Sequence, residues 1–146
     1  MATAETTLVI NRPIQDVFAI ISNLENDPKY SAQVVEAEIT SPGPLGVGST
    51  GRLVTKYMGR RVVNTGEITE FVPNRRYAWR FTSSPVPLGG WFTFQPAGDG
   101  TRVAAGISAS PTGALKLAAP LIARMGRRWL AHDLGTLKRL METNAL

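Results

Sequence analysis

Residues 113–146 read GALKLAAPLIARMGRRWLAHDLGTLKRLMETNAL, and the spacing of their apolar side chains decides what the rest of the chain has to do. At 100° per residue, Leu115, Ala119, Ile122, Gly126, Trp129 and Leu130 fall on one side together with Asp133, Leu134, Leu137 and Leu140. Arg127, Arg128 and Lys138 lie well off the centre of that side. The pattern predicts one amphipathic helix of about thirty residues, roughly 45 Å long. Pro120 removes a hydrogen bond from its interior, so either a kink at that point or a helix that begins near it is expected.

The same segment is basic. Lys116, Arg124, Arg127, Arg128, Lys138 and Arg139 stand against Asp133 and Glu142 alone, a net charge of +4 within a chain whose total is +5. The leading reading is a solvated helix face; the alternative is an interaction protein whose basic helix makes weak contact with an anionic membrane surface or meets a macromolecular partner. No nucleic-acid-binding motif accompanies the charge, and no nucleic-acid partner is expected.

A helix with one apolar face needs a surface to cover, and the residues before it supply strands. Segments 34–40, 49–58, 61–71, 75–82, 90–95 and 101–108 read as strands separated by Pro, Gly and Asn turns. Connections this short impose antiparallel pairing, because a parallel pair needs a crossover of a dozen or more residues. A further strand, 5–10, opens the chain. Asn11 then offers a cap and Pro13 a first turn for a helix carrying Ile14, Val17, Phe18 and Ile21; Asn23, Asn26, Asp27 and Pro28 break it into two short helices ending near Tyr30. The resulting fold class is α+β: a curved antiparallel sheet of about seven strands wrapped around one long C-terminal helix, with two short helices after the first strand.

The 146 residues suit a single domain spanning the whole chain. With no cysteine there are no disulfides, thiolate nucleophiles or cysteine metal sites. One histidine and scattered carboxylates supply no ligand cluster, so neither metal nor other cofactor is expected. The glycines of residues 43–51 lack the Lys-Ser/Thr end of a phosphate loop and lead into a strand. No secretory signal and no apolar run near ~20 residues is present, which makes the cytoplasm the expected location.

Strand alternation sets Tyr77, Trp79 and Phe81 on one face, Phe92 with Phe94, and Val103 with Ala105 and Ile107. With Ile122, Met125 and Trp129 from the helix they would line any space beneath it, and Ala105 and Gly126 would leave that space room. The alternative is a filled core of the same residues. Tyr30 and Tyr57 are candidates to project hydroxyls toward the opening, the alternative and commoner outcome being a buried ring with its hydroxyl in water. Asp133 falls on the apolar helix face, where its charge needs a partner; a strand or loop Arg or Lys is expected ahead of a role as general base. His132 sits at the edge of the stripe and is not expected to face Asp133.

The order of elements resembles the helix-grip fold of the START and birch-pollen-allergen-like superfamily, and the local sequence resembles its polyketide cyclase/dehydrase branch. The likeness is carried by residues 10–18 (INRPIQDVF), 26–30 (NDPKY), 46–49 (GVGS), 68–79 (ITEFVPNRRYAW), 94–103 (FQPAGDGTRV) and 137–140 (LKRL) with Glu142. It implies a cavity for a hydrophobic, ring-containing small molecule of polyketide or lipid-like kind. A cyclase or dehydratase is the alternative, with Tyr30, Tyr57 and Asp133 as acid–base candidates. The expected rim lies between the short helices, the loop at 85–90 and the first half of the long helix.

Overall fold

The computed structural model describes residues 2–57, 59–84, 87–110 and 113–146, with Ala2, Ala114 and Leu115 described by their backbone alone. The strands are β1 (Ala2–Ile10), β2 (Val34–Ile39), β3 (Thr50–Tyr57), β4 (Arg60–Val72), β5 (Arg76–Ser83), β6 (Leu88–Ala97) and β7 (Gly100–Ala109). The helices are α1 (Ile14–Ser22), α2 (Asp27–Tyr30) and α3 (Ala119–Glu142), with single 3-10 segments at Leu24–Asn26 and Gly113–Ala118.

All seven strands form one antiparallel sheet in the order β1-β7-β6-β5-β4-β3-β2. Strands β2 to β7 are a meander, and β1 closes its far side on β7. Register shifts in β4 between Thr65 and Gly66 and between Ile68 and Glu70, and in β2 between Val34 and Glu36, bend the sheet. A bulge adds twist where it sits, and these three curl the sheet around α3. Asn74, at φ 63°, makes the β4–β5 turn in a conformation that asparagine tolerates better than most residues.

Pro120 occupies the first turn of α3, where a missing N–H costs nothing, so the helix starts there without a kink. Its 24 residues span about 36 Å at 1.5 Å each. The preceding residues continue as 3-10 turns, which shortens the expected helix at its N-terminal end. Leu115, expected on the apolar face, has no described side chain.

Asn11 does not cap α1: Pro13 holds the N-cap position without a side-chain bond. The Asn11 N–H instead donates to Glu142 Oε2 at 2.8 Å, and Lys138 Nζ reaches both that oxygen and Val9 O at 2.6 Å. The Arg12 guanidinium donates to the carbonyls of Met141, in the last turn of α3, and of Leu146, beyond it, at 2.8 and 3.1 Å. The loop after β1 thereby clamps the C-terminus of α3. Beneath the clamp lies a solid core: Ile10, Val17, Ile21, Val103, Leu134, Leu137 and Met141 are almost fully buried, and Phe18 meets Phe71 and Phe94 edge-on at 5.3 and 5.1 Å.

Candidate functional site

Toward its N-terminal half α3 stands away from the sheet. Between Ile122, Met125 and Trp129 on the helix and the concave face of β3 to β7 lies a mostly apolar cavity of about 640 Å³. Gly126 brings α3 close to β1, where an added Cβ would meet Ala4 Cβ at 3.7 Å. Ile21, Tyr77, Leu130 and Leu134 form the boundary between this hollow and the packed core.

The sheet supplies the wall in pairs. Trp79 and Phe81 stand 5.2 Å apart, Tyr77 stacks on Phe92 at 6.0 Å, and Tyr57 of β3 tilts against Trp129 of α3 at 5.7 Å. Gly90 lies opposite Trp79 across the β5–β6 ladder, and a Cβ there would come within 2.7 Å of the indole. Only glycine lets that ring lie against the strand instead of being lifted into the space.

Tyr30, Tyr57, Tyr77, Trp79, Phe81 and Phe92 therefore share this cavity with Ile107, Ile122, Met125, Trp129 and Asp133. Phe94 and Ala105 do not. They belong to the packed end, Phe94 against Phe18 and Ala105 fully buried, because the side chains of α1 fill the space there. Of the expected rim, Pro85 and Val86 lie outside the described residues; Pro87, Leu88 and Met125 line the cavity.

Asp133 has a partner, but not a cation. Its carboxylate accepts from Ser31 Oγ at 3.0 Å and from the Ala32 N–H at 3.1 Å, tying α3 to the segment after α2. His132 also reaches it: Nδ1 lies 3.4 Å from Asp133 Oδ1, since both side chains turn toward the same edge of the helix. The imidazole is exposed and the contact sits at the long limit of a hydrogen bond.

One residue read in the sequence only as a helix breaker faces the cavity as well. Asp27 opens α2, and Tyr30, one turn on, donates its hydroxyl to Asp27 Oδ1 at 3.0 Å. Burial pushes the Asp27 carboxyl up to about 7; the Tyr30 hydrogen bond opposes this and the charge of Asp133 adds to it. Burial, and then the Asp27 charge, raise Tyr30 well above the ordinary phenol range and raise Tyr77 too. Burial raises Tyr57, with Thr55 opposing and Asp133 adding. The α2 end of the cavity is thus built from neutral phenols and one carboxyl that gives up its proton near neutrality. The i, i+3 spacing of Asp27 and Tyr30 was the available signal, as it sets the two on one side of a helical turn.

Among the described residues no group of ligating side chains is arranged to hold a metal ion, and no helix is long and apolar enough to cross a membrane.

A curved seven-stranded sheet gripping a long helix over an aromatic-walled hollow is the helix-grip architecture. The chain matches the model of the family described as polyketide cyclase/dehydrase and lipid transport over residues 1–142, and it belongs to that family. A START superfamily protein from Mycobacterium smegmatis has the same fold, with TM-score 0.82 at 16% identity over 98% of this chain and 99% of its own. The Zhui aromatase/cyclase from a Streptomyces species gives 0.77 at 15% identity over 99% and 95%. A protein from Thermus thermophilus gives 0.79 at 21% identity over 94% of both chains. Among curated proteins none matches the chain.

Proposed function

We propose that this protein binds a hydrophobic, ring-containing small molecule of polyketide or lipid-like character between its sheet and the first half of α3. The cavity carries the reading: about 640 Å³, within the roughly 300–1,000 Å³ typical of small-molecule sites, walled by aromatic pairs suited to flat ring systems. Membership in a family described by polyketide cyclisation and lipid transport supports it. Native mass spectrometry of the protein purified from its own cells is the test. A copurifying apolar mass is the expected result; repeated preparations that bind neither a cellular molecule nor any neutral aromatic probe would overturn it.

Two further readings have observations of their own. Tyr30, Tyr57 and Asp133 face one cavity, which supports cyclase or dehydratase chemistry; turnover of a poly-β-keto mimic, lost in Asp133→Asn and Tyr57→Phe, is its signature. Leu117 is 90% and Leu121 59% exposed beside Arg124, Arg127 and Arg128, which supports contact with anionic lipid; binding to anionic vesicles that collapses with added salt is its signature.

A further inference from the structure

The α2 end of the cavity differs chemically from the rest of its wall. Asp27 Oδ1 is occupied by the Tyr30 hydroxyl, and among the described residues nothing bonds Asp27 Oδ2 or the Tyr77 hydroxyl. Both residues line the cavity, from α2 and from β5. The charge facing them from α3 is Asp133, a second carboxylate held by Ser31 and Ala32. The cation on the same turn, Lys29, is turned away to Asn26 Oδ1 at 3.1 Å.

We infer that this end of the cavity selects ligands carrying a neutral hydrogen-bond acceptor on the ring system, a ketone or related carbonyl oxygen, and that Asp27 and Tyr77 are the donors that receive it.

An anionic head group, carboxylate or phosphate, would meet the carboxyls of Asp27 and Asp133 here; among the described residues the cations lining the cavity are Lys56 of β3, which is exposed, and Arg80 of β5, which is paired with Glu67. A plain hydrocarbon would leave buried donors unpaired, which costs more than the hydrogen bond itself is worth. A carbonyl satisfies them. Because burial holds the Asp27 proton up to about pH 7, the carboxyl is a donor below neutrality and becomes an acceptor above it. Ketone binding therefore weakens as pH rises through that value, while binding of a probe without a carbonyl does not change. His132 touches Asp133 rather than Asp27, so His132→Gln is the control.

This inference rests on the cavity-binding reading, and two probes of similar size separate their fates. Prodan is a naphthyl ketone; N-phenyl-1-naphthylamine has no carbonyl. Fluorescence titrations of the full chain between pH 6 and pH 8.5 give the dissociation constants. The expected result is a prodan affinity that falls about tenfold over this range in the wild type and in His132→Gln, and an N-phenyl-1-naphthylamine affinity that stays constant. Asp27→Asn keeps a donor at every pH, so its prodan affinity should be flat and within about threefold of the wild type at pH 6. Prodan affinity that is flat in the wild type, that still falls in Asp27→Asn, or that follows His132→Gln overturns the inference and leaves the cavity standing. Failure of both probes to bind at any pH overturns the cavity reading, and this inference with it.

Discussion

The two ends of α3 lie over the same sheet and meet it differently. From Leu130 onward the helix buries Leu134, Leu137 and Met141 against Ile10, Val103 and the side chains of α1, and its C-terminus is clamped by Arg12, Lys138 and Asn11. Before Leu130 it presents Ile122, Met125 and Trp129 to open space. The difference is α1: Val17, Phe18 and Ile21 wedge into one end, and the one-turn α2 brings only Asp27 and Tyr30 to the other. A sheet this curved and a helix this long leave more room than they fill alone. Where a third element enters there is a core, and where it stops there is a cavity.

Truncation should separate the ends most sharply. Leu137→Ala removes a fully buried side chain from the packed end and is expected to cost about 2–5 kcal/mol in urea unfolding. Ile122→Ala, at the edge of open space, should cost about 1 kcal/mol or less, since few contacts are lost and no new void is sealed. Equal costs would mean that the hollow closes in solution.

Next in size is a pH effect. Asp27 keeps its proton in the folded state up to about pH 7, whereas the unfolded chain releases it near 3.8. The folded state therefore binds more protons between these values, and stability falls as pH rises through that window. Asp27→Asn escapes this loss while still accepting from Tyr30. It should be more stable than wild type by about 1–3 kcal/mol at pH 8.5 and show little difference near pH 4, read as unfolding midpoints across the range. A constant difference at all pH values would place the carboxyl in water.

Enlarging residues reverses the logic of truncation. Val103→Trp overfills the packed end and should cost about 3 kcal/mol or prevent folding. Ile107→Trp with Leu53→Trp adds two rings to the hollow, where they have room, and should leave stability within about 1 kcal/mol of wild type. The smallest effect belongs to the clamp. Hydrogen bonds from Lys138 and the Asn11 N–H hold the exposed Glu142 carboxyl below its ordinary range, so its contribution is present at neutrality and lost as pH falls through that lowered value. Glu142→Gln should lower Tm slightly at pH 7, and the difference should shrink and vanish as the solution is acidified.

Much of this contrast could be read in the chain itself. Alternation in residues 77–81 and 103–107 and the 3.6 period after Pro120 are local properties, and they assigned the inward faces of the sheet and of α3. Periodicity says which way a side chain points, not how far away the opposite wall is. For that reason Phe94 and Ala105 read in the sequence as cavity residues, being on the same faces, although they lie in the packed core with Phe18. Polar partners were harder still. Asp133 called for a cation by charge alone, but Ser31 and Ala32, a hundred residues earlier, satisfy it. Asp27 reads as a helix breaker because its neighbours are Asn26 and Pro28; its burial depends on α2 docking against α3 and β2, which no local pattern carries.

The central claim is that the space under the first half of α3 is open and takes a ring-containing ligand. Titrating N-phenyl-1-naphthylamine into the wild type and into the Ile107→Trp/Leu53→Trp protein tests it most directly. Saturable one-to-one binding to the wild type, weakened at least tenfold in a filled variant of unchanged stability, is the predicted result. Binding that is absent from the wild type, or equal in both proteins, would contradict it.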